Sequence, residues 1–191
     1  MKKNKFTPIS DVGEFKLIDI ISKNFKTKHL STKKGIGDDS AVLNHVKNKD
    51  YFISTDMLVE GVHFDTTYSP LKHVGYKSIV VNLSDVCAMN GIPLQALVSL
   101  GIPNKYSVEL IEEIYSGIRL ACANYSIDLI GGDTTASPTE LIINVTIIGE
   151  GNPKKTTYRS GAKPNDLLVV SGDLGAAYLG LQILEREKSI F

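Results

Sequence analysis

The chain has 191 residues, 42% hydrophobic and 22% charged, which suits a folded domain with a proper core plus part of a second. Basic and acidic residues both number 21, and the zero net charge excludes a non-specific nucleic-acid binder, which needs a basic surplus. No run spans a bilayer, the basic Met1–Lys5 leads into no signal segment, and there is no CxxC pair for zinc. Cys87 and Cys122 read as reduced core residues of a cytoplasmic protein.

Residues 1–9 read as a frayed arm, and Asp11 through Glu14 as a capping-box variant opening a helix to about residue 26, with Phe15, Ile18, Ile21 and Phe25 on one face. Thr27–Lys34 reads as a polar loop. Short strands are expected over Ser40–Leu43 and Tyr51–Asp56, the latter apolar and β-rich before it meets Ser54-Thr55-Asp56. Ser69 and Pro70 cap a helix carrying Leu71, Val74, Ile79, Leu83 and Val86, which Asn90-Gly91 and Pro93 end. A strand Leu94–Leu100 follows. Ser107 caps a further helix with Leu110, Ile111, Ile114, Ile118 and Ala121 on its apolar face. Then come a short strand Asp128–Ile130 and a long one, Leu141–Ile148.

This order implies an α+β domain over residues 1–152, with a mixed β-sheet and helices on one face. Beyond it, Leu167–Val170 reads as a strand and the segment to Lys188 as an amphipathic helix. One strand and one helix cannot bury a core, so residues 153–191 read as the start of an incomplete second α/β domain.

Four stretches combine acids with glycines or hydroxyls: Gly35-Ile36-Gly37-Asp38-Asp39, Ser54-Thr55-Asp56 with Glu60-Gly61-Val62-His63, Asn82-Leu83-Ser84-Asp85, and Gly131-Gly132-Asp133-Thr134-Thr135. The first is not a dinucleotide fingerprint: the third glycine is missing, and two acids occupy the turn where a pyrophosphate would sit. No GxxxxGK[ST] loop exists either. Singly, each stretch also reads as a solvated turn or helix face, His63 as a packed residue, and Arg159 with Lys163 as a solvated loop. Together, Asp39, Asp56, Asp85 and Asp133 at strand ends or in an adjacent helix suit several Mg²⁺ ions, which hold nucleotide phosphates without a Walker motif.

These four stretches, with Arg159-Ser160-Gly161-Ala162-Lys163-Pro164, resemble the successive motifs of the thiamine-monophosphate kinase family. That family belongs to the aminoimidazole-ribonucleotide synthetase superfamily. The resemblance implies that superfamily's N-terminal-domain fold and Mg²⁺- and ATP-dependent phosphorylation of thiamine monophosphate to thiamine diphosphate. By the same resemblance, Asp39, Ser54, Thr55, Asp56, Asp85 and Asp133 hold metal. Gly132, Asp133 and Arg159 meet ATP with Tyr115 near the adenine, His63 meets the thiamine substrate, and two first-domain sheets pair into a homodimer. No general base is assigned. The residues alone leave open another ATP-using enzyme of the superfamily, a metal-dependent phosphatase, or an inactive nucleotide-binding or dimerising module.

Overall fold

A computed structural model of the protein describes residues 16, 30–46 and 48–188. The helix expected over residues 11–26 lies, Lys16 apart, outside them. Strands β1 (Thr32–Lys34), β2 (Ala41–Val46) and β3 (Lys49–Val59) precede helix α1 (Leu71–Ala88). Strand β4 (Ile92–Pro103), helix α2 (Val108–Tyr125), and strands β5 (Asp128–Ser137) and β6 (Ile142–Gly151) complete the sheet. A 3-10 turn at Arg159–Gly161 and helix α3 (Ala176–Lys188) follow.

The six strands form one mixed sheet in the order β1-β2-β3-β6-β4-β5. Only β4 and β5 run parallel, because α2 carries the chain back over the sheet between them. β6 inserts antiparallel between β3 and β4, in unbroken register with β3 from Asp50↔Gly151 to Val59↔Ile142. Period-two burial along β6 turns Ile143, Val145 and Ile147 toward the helices. They meet Val74, Ile79, Leu83 and Val86 of α1 and Ile114, Ile118 and Ala121 of α2, with Phe52 and Val98 beside them. Burying each large apolar side chain contributes roughly 1.5–3 kcal/mol.

The two helices cross closely because each offers a glycine at the contact. A Cβ on Gly75 would stand 2.0 Å from the Ile114 carbonyl oxygen, and one on Gly117 would stand 1.8 Å from that of Lys72. The opposite sheet face carries Thr55, Met57, Leu97, Ser99, Asn144 and Thr146 and is half-buried or exposed.

The α+β architecture is as the sequence implies, with differences in detail. Thr32–Lys34, expected as loop, is a strand because it pairs with β2 through Thr32↔Leu43 and Lys34↔Val42. β3 and β5 run past their expected ends, to Val59 and Ser137, so Gly132 and Asp133 lie within a strand. Ladder pairing to β4 overrides the turn character of those residues. Pro70, not Ser69, is the N-cap of α1. Leu110 is exposed, and so is Cys87, one position beyond the inward Val86 on the last turn of α1. Leu167–Val170 forms no strand: no described strand pairs with it, and its side chains are exposed. Among the described residues no helix is long and apolar enough to cross a membrane.

Candidate active site

Pairing between β2 and β3 ends at Ala41↔Ile53, yet β3 continues to Val59 along an open edge. Asn82 of α1 fills the gap. Fully buried, it accepts a hydrogen bond from the Asp56 backbone N–H through Oδ1 (2.8 Å) and donates from Nδ2 to the Ser78 carbonyl (2.9 Å). One turn further along α1, Asp85 accepts a hydrogen bond from Ser54 Oγ at 2.7 Å, and that hydroxyl also stands 3.3 Å from the Asp39 carbonyl oxygen.

Asp38, Asp39, Asp56, Asp85 and Ser54 thus line one cavity of about 830 Å³, with the glycine turn Gly35–Gly37 along its rim and Arg159 at its mouth. Arg159 is held there twice. Its guanidinium is ion-paired with the Asp39 carboxylate, and its backbone N–H points at the Asp38 carboxylate oxygens at 3.3 and 3.4 Å.

The cavity is strongly anionic. Burial holds the Asp85 carboxyl above its ordinary range, and the Asp56 and Asp39 charges add to that rise. The Ser54 hydrogen bond and the Arg159 charge offset part of it. Ser40, on the same cavity, is buried with its Oγ unpartnered.

A hard cation fits this donor set of carboxylates and hydroxyls. Among the described residues no three Asp, Glu, His or Cys side chains stand as a closed ligand shell. The acids surround a roomy cavity, an arrangement that suits Mg²⁺, which keeps several waters and shares its shell with substrate phosphates.

Not every expected ligand reaches this cavity through its side chain. The Thr55 hydroxyl lies on the uncovered sheet face, bonded to the Val145 carbonyl (3.1 Å) and to Thr146 (2.9 Å). Asp133 is not brought into the cluster. β5 lies three strands from β3, about 14 Å at ordinary strand spacing, and the register Ser99↔Asp133 sets it on the face away from the helices. It shares a separate cavity of about 490 Å³ with Gly132, Val98 and half-buried Tyr115. Gly132 is required there: with φ of +155°, a Cβ would meet the Val98 carbonyl oxygen at 1.7 Å. Three of the four residues expected near ATP thus share one cavity, and Arg159 stands at the other.

His63 lies further along still, beyond a strand climb of about 10 Å from Asp56 to Val59. It is exposed, and Nδ1 accepts the Val59 backbone N–H at 3.0 Å, which leaves Nε2 free to face a ligand. Its cavity, about 590 Å³, is shared with His73 and Lys77 of α1 and with Tyr178 and Leu181 of α3.

Nearby Glu60 is structural. It is buried and accepts from Thr66 Oγ1 (2.8 Å), Lys105 (3.1 Å) and the Leu141 N–H (3.0 Å). Burial pushes its carboxyl up, but those three bonds together hold it below the ordinary range.

Two contributors escaped the sequence reading. Asp38 reads in the sequence only as the neighbour of Asp39, although its carboxylate orients the Arg159 backbone. Asn82 carried one signal, an amide among the apolar positions of a helix.

Residues 37–150 match the family model described as AIR synthase related protein, N-terminal domain. The chain is 40% identical over 176 residues to the thiamine-monophosphate kinase of Bacillus subtilis (strain 168), covering 92% of this chain and 54% of that protein. To the thiamine-monophosphate kinase of Aquifex aeolicus (strain VF5) it is 39% identical over 180 residues, covering 94% and 55%. The structure of AaThiL complexed with AMPPCP and TMP superposes with a TM-score of 0.84 at 38% identity, over 95% of this chain and 55% of that one. The chain spans about half the length of the curated relatives it matches. With residues 37–150 matching that model, and with them Asp38, Asp39, Ser54, Asp56 and Asp85, the chain belongs to the AIR synthase related protein family through its N-terminal domain.

Proposed function

We propose that this chain carries the nucleotide- and metal-binding part of an ATP-dependent kinase that converts thiamine monophosphate to thiamine diphosphate by in-line phosphoryl transfer. The observation that carries the reading is the gathering of Asp39, Asp56 and Asp85 with Ser54 around one cavity that Arg159 closes. The relatives named thiamine-monophosphate kinase, and the similar structure complexed with AMPPCP and TMP, support the donor and the acceptor.

Residues 1–152 form the nucleotide domain in this reading, and 153–191 begin a second one. The uncovered sheet face joins two copies as a homodimer, and the reaction takes place in the cytoplasm. Asp39, Ser54, Asp56 and Asp85 would hold Mg²⁺, which when bound would neutralise phosphate charge. Arg159 would then turn from Asp39 to the phosphates, where a planar guanidinium gives paired hydrogen bonds. Gly132 lets the β5 backbone approach the nucleotide, Tyr115 offers it a half-buried aromatic wall, and His63 offers Nε2 to the thiamine substrate. No general base is needed, because the second pKa of a phosphate monoester is about 6 and the nucleophile is ionised at neutral pH.

Calorimetric titration of the chain with AMPPCP, in Mg²⁺ and again in EDTA, tests the reading. Binding should depend on Mg²⁺, and Asp56→Asn should abolish that dependence while the fold persists. Equal affinity in both solutions would refute the metal-cluster reading.

A further inference from the structure

We propose that Asp50 is a positioning residue for this site: from beneath the sheet end it anchors the strap 152–159, which delivers Arg159 to the acids. The proposal rests on the functional reading above for its consequence, but not for its geometry.

Asp50 is the second residue of β3, pairs with Gly151 of β6, and has a fully buried side chain. Its Oδ2 accepts from Lys33 of β1 and, at 3.0 Å, from Thr156 Oγ1, while Oδ1 has no partner. A buried carboxylate is expensive to keep unless its partners hold still. The pair also acts on the lysine. Burial pulls Lys33 down, but the bond to Asp50 and its charge, with Tyr158 adding to them, leave it above the ordinary range.

The strap is stitched on both sides of this anchor. Asn90 Nδ2 donates to the Lys155 carbonyl at 2.9 Å, and the Thr157 N–H to the Met89 carbonyl at 3.2 Å. Tyr158 packs on the core, and Arg159 follows with its N–H on Asp38. The Thr156 hydroxyl therefore ties the strap directly to the buried carboxylate, and Tyr158 acts on its partner Lys33. Strand β1 enters the same anchor through Lys33, and the glycine turn that follows it carries Asp38 and Asp39. One carboxylate thus sets both partners of the Arg159 contact.

The test compares amide hydrogen exchange at Thr157 and Arg159 in the wild-type chain, Asp50→Asn, Thr156→Val and Thr156→Ser. Thr156→Val keeps the Lys33–Asp50 pair and the fold, so it stands if Asp50→Asn does not. In Thr156→Val both amides should exchange about tenfold faster or more, the factor carried by losing one hydrogen bond to a charged acceptor. Thr156→Ser should restore them.

In calorimetry with Mg²⁺ and AMPPCP, Thr156→Val should weaken binding in the wild-type background and not in Arg159→Ala, since it acts through that residue. Unchanged exchange in Thr156→Val overturns the anchor. An equal loss of affinity in both backgrounds overturns its action through Arg159. A wild-type chain that ignores AMPPCP refutes the proposed function instead, and the exchange comparison still decides whether Asp50 holds the strap.

Discussion

Asn82→Leu should destabilise the protein by about 2–4 kcal/mol, through hydrogen bonds alone. Leucine has nearly the same volume, so the packing of α1 on β3 is preserved. What disappears is the acceptor for the Asp56 N–H and the donor to the Ser78 carbonyl. The Asp56 N–H sits beyond the end of β2 pairing, so no strand can replace Asn82. Leaving such a donor unpaired costs about 1–3 kcal/mol, and the second bond adds about 0.5–1.5. For a chain of this length the melting temperature should fall by roughly 5–15 °C, readable by circular dichroism alongside a urea titration. Asn82→Asp refines the argument. Its oxygen can still accept from Asp56, but the donor to Ser78 is lost and an acid is buried beside Asp56 and Asp85. A carboxyl kept neutral in the fold has a folded pKa above its unfolded value. The variant should therefore regain stability as the pH falls through that folded pKa, and lose it again as the pH rises. A loss under about 1 kcal/mol in Asn82→Leu would refute the claim that this amide stands in for a strand.

Asp85 obeys the same sign. Burial first, then the Asp56 and Asp39 charges, raise its folded pKa, so its ionisation costs stability that is fully regained below the unfolded value of about 3.9. Asp85→Asn should melt level with or above the wild type at neutral pH, converge with it in acid, and lose Mg²⁺-dependent AMPPCP binding. A clear fall at neutral pH would make the acid structural. Gly117→Ala places a methyl 1.8 Å from the Lys72 carbonyl oxygen, so the helices must part. Overpacking of this kind costs about 1–3 kcal/mol, and a urea midpoint equal to the wild type would show that α1 and α2 yield freely.

The sequence shows its helices well because their apolar positions recur on the turn of the helix. Leu71, Val74, Ile79, Leu83 and Val86 all prove buried. Strand ends are less legible, because a strand's length depends on its neighbours. Gly132 and Asp133 look like the turn after a short strand, yet Val98 and Ser99 pair with them. Thr32–Lys34 looks like a loop for the same reason. Glycine and hydroxyl neighbours mark Asp39, Asp56 and Asp85 in the sequence, and the three line one cavity. Their assembly with Asp133 was assumed from similar local patterns. The strand order puts β6 and β4 between them, and no local pattern encodes that order. Asp50 was invisible because its importance comes from Lys33, 17 positions earlier, and Thr156, 106 positions later.

The electrostatics explain why Arg159 stands where it does. Asp38, Asp39, Asp56 and Asp85 line the cavity, and Arg159 is the one base among the described residues lining it. Two like charges 4 Å apart repel by about 4 kcal/mol at an effective dielectric of 20. One guanidinium, itself 54% exposed, cannot quench several such terms, and the Asp56 and Asp39 charges add to the rise that burial gives Asp85. A divalent ion held by the same carboxylates would answer that charge more fully and would compete with the guanidinium for Asp39. The Arg159 backbone N–H on Asp38 would keep the side chain at the cavity when its guanidinium is not paired with Asp39. Anchoring by the main chain and pairing by the side chain are thus separable in this residue. Arg159→Lys would keep the first and lose the planar fork of the second, a distinction the charge alone does not make.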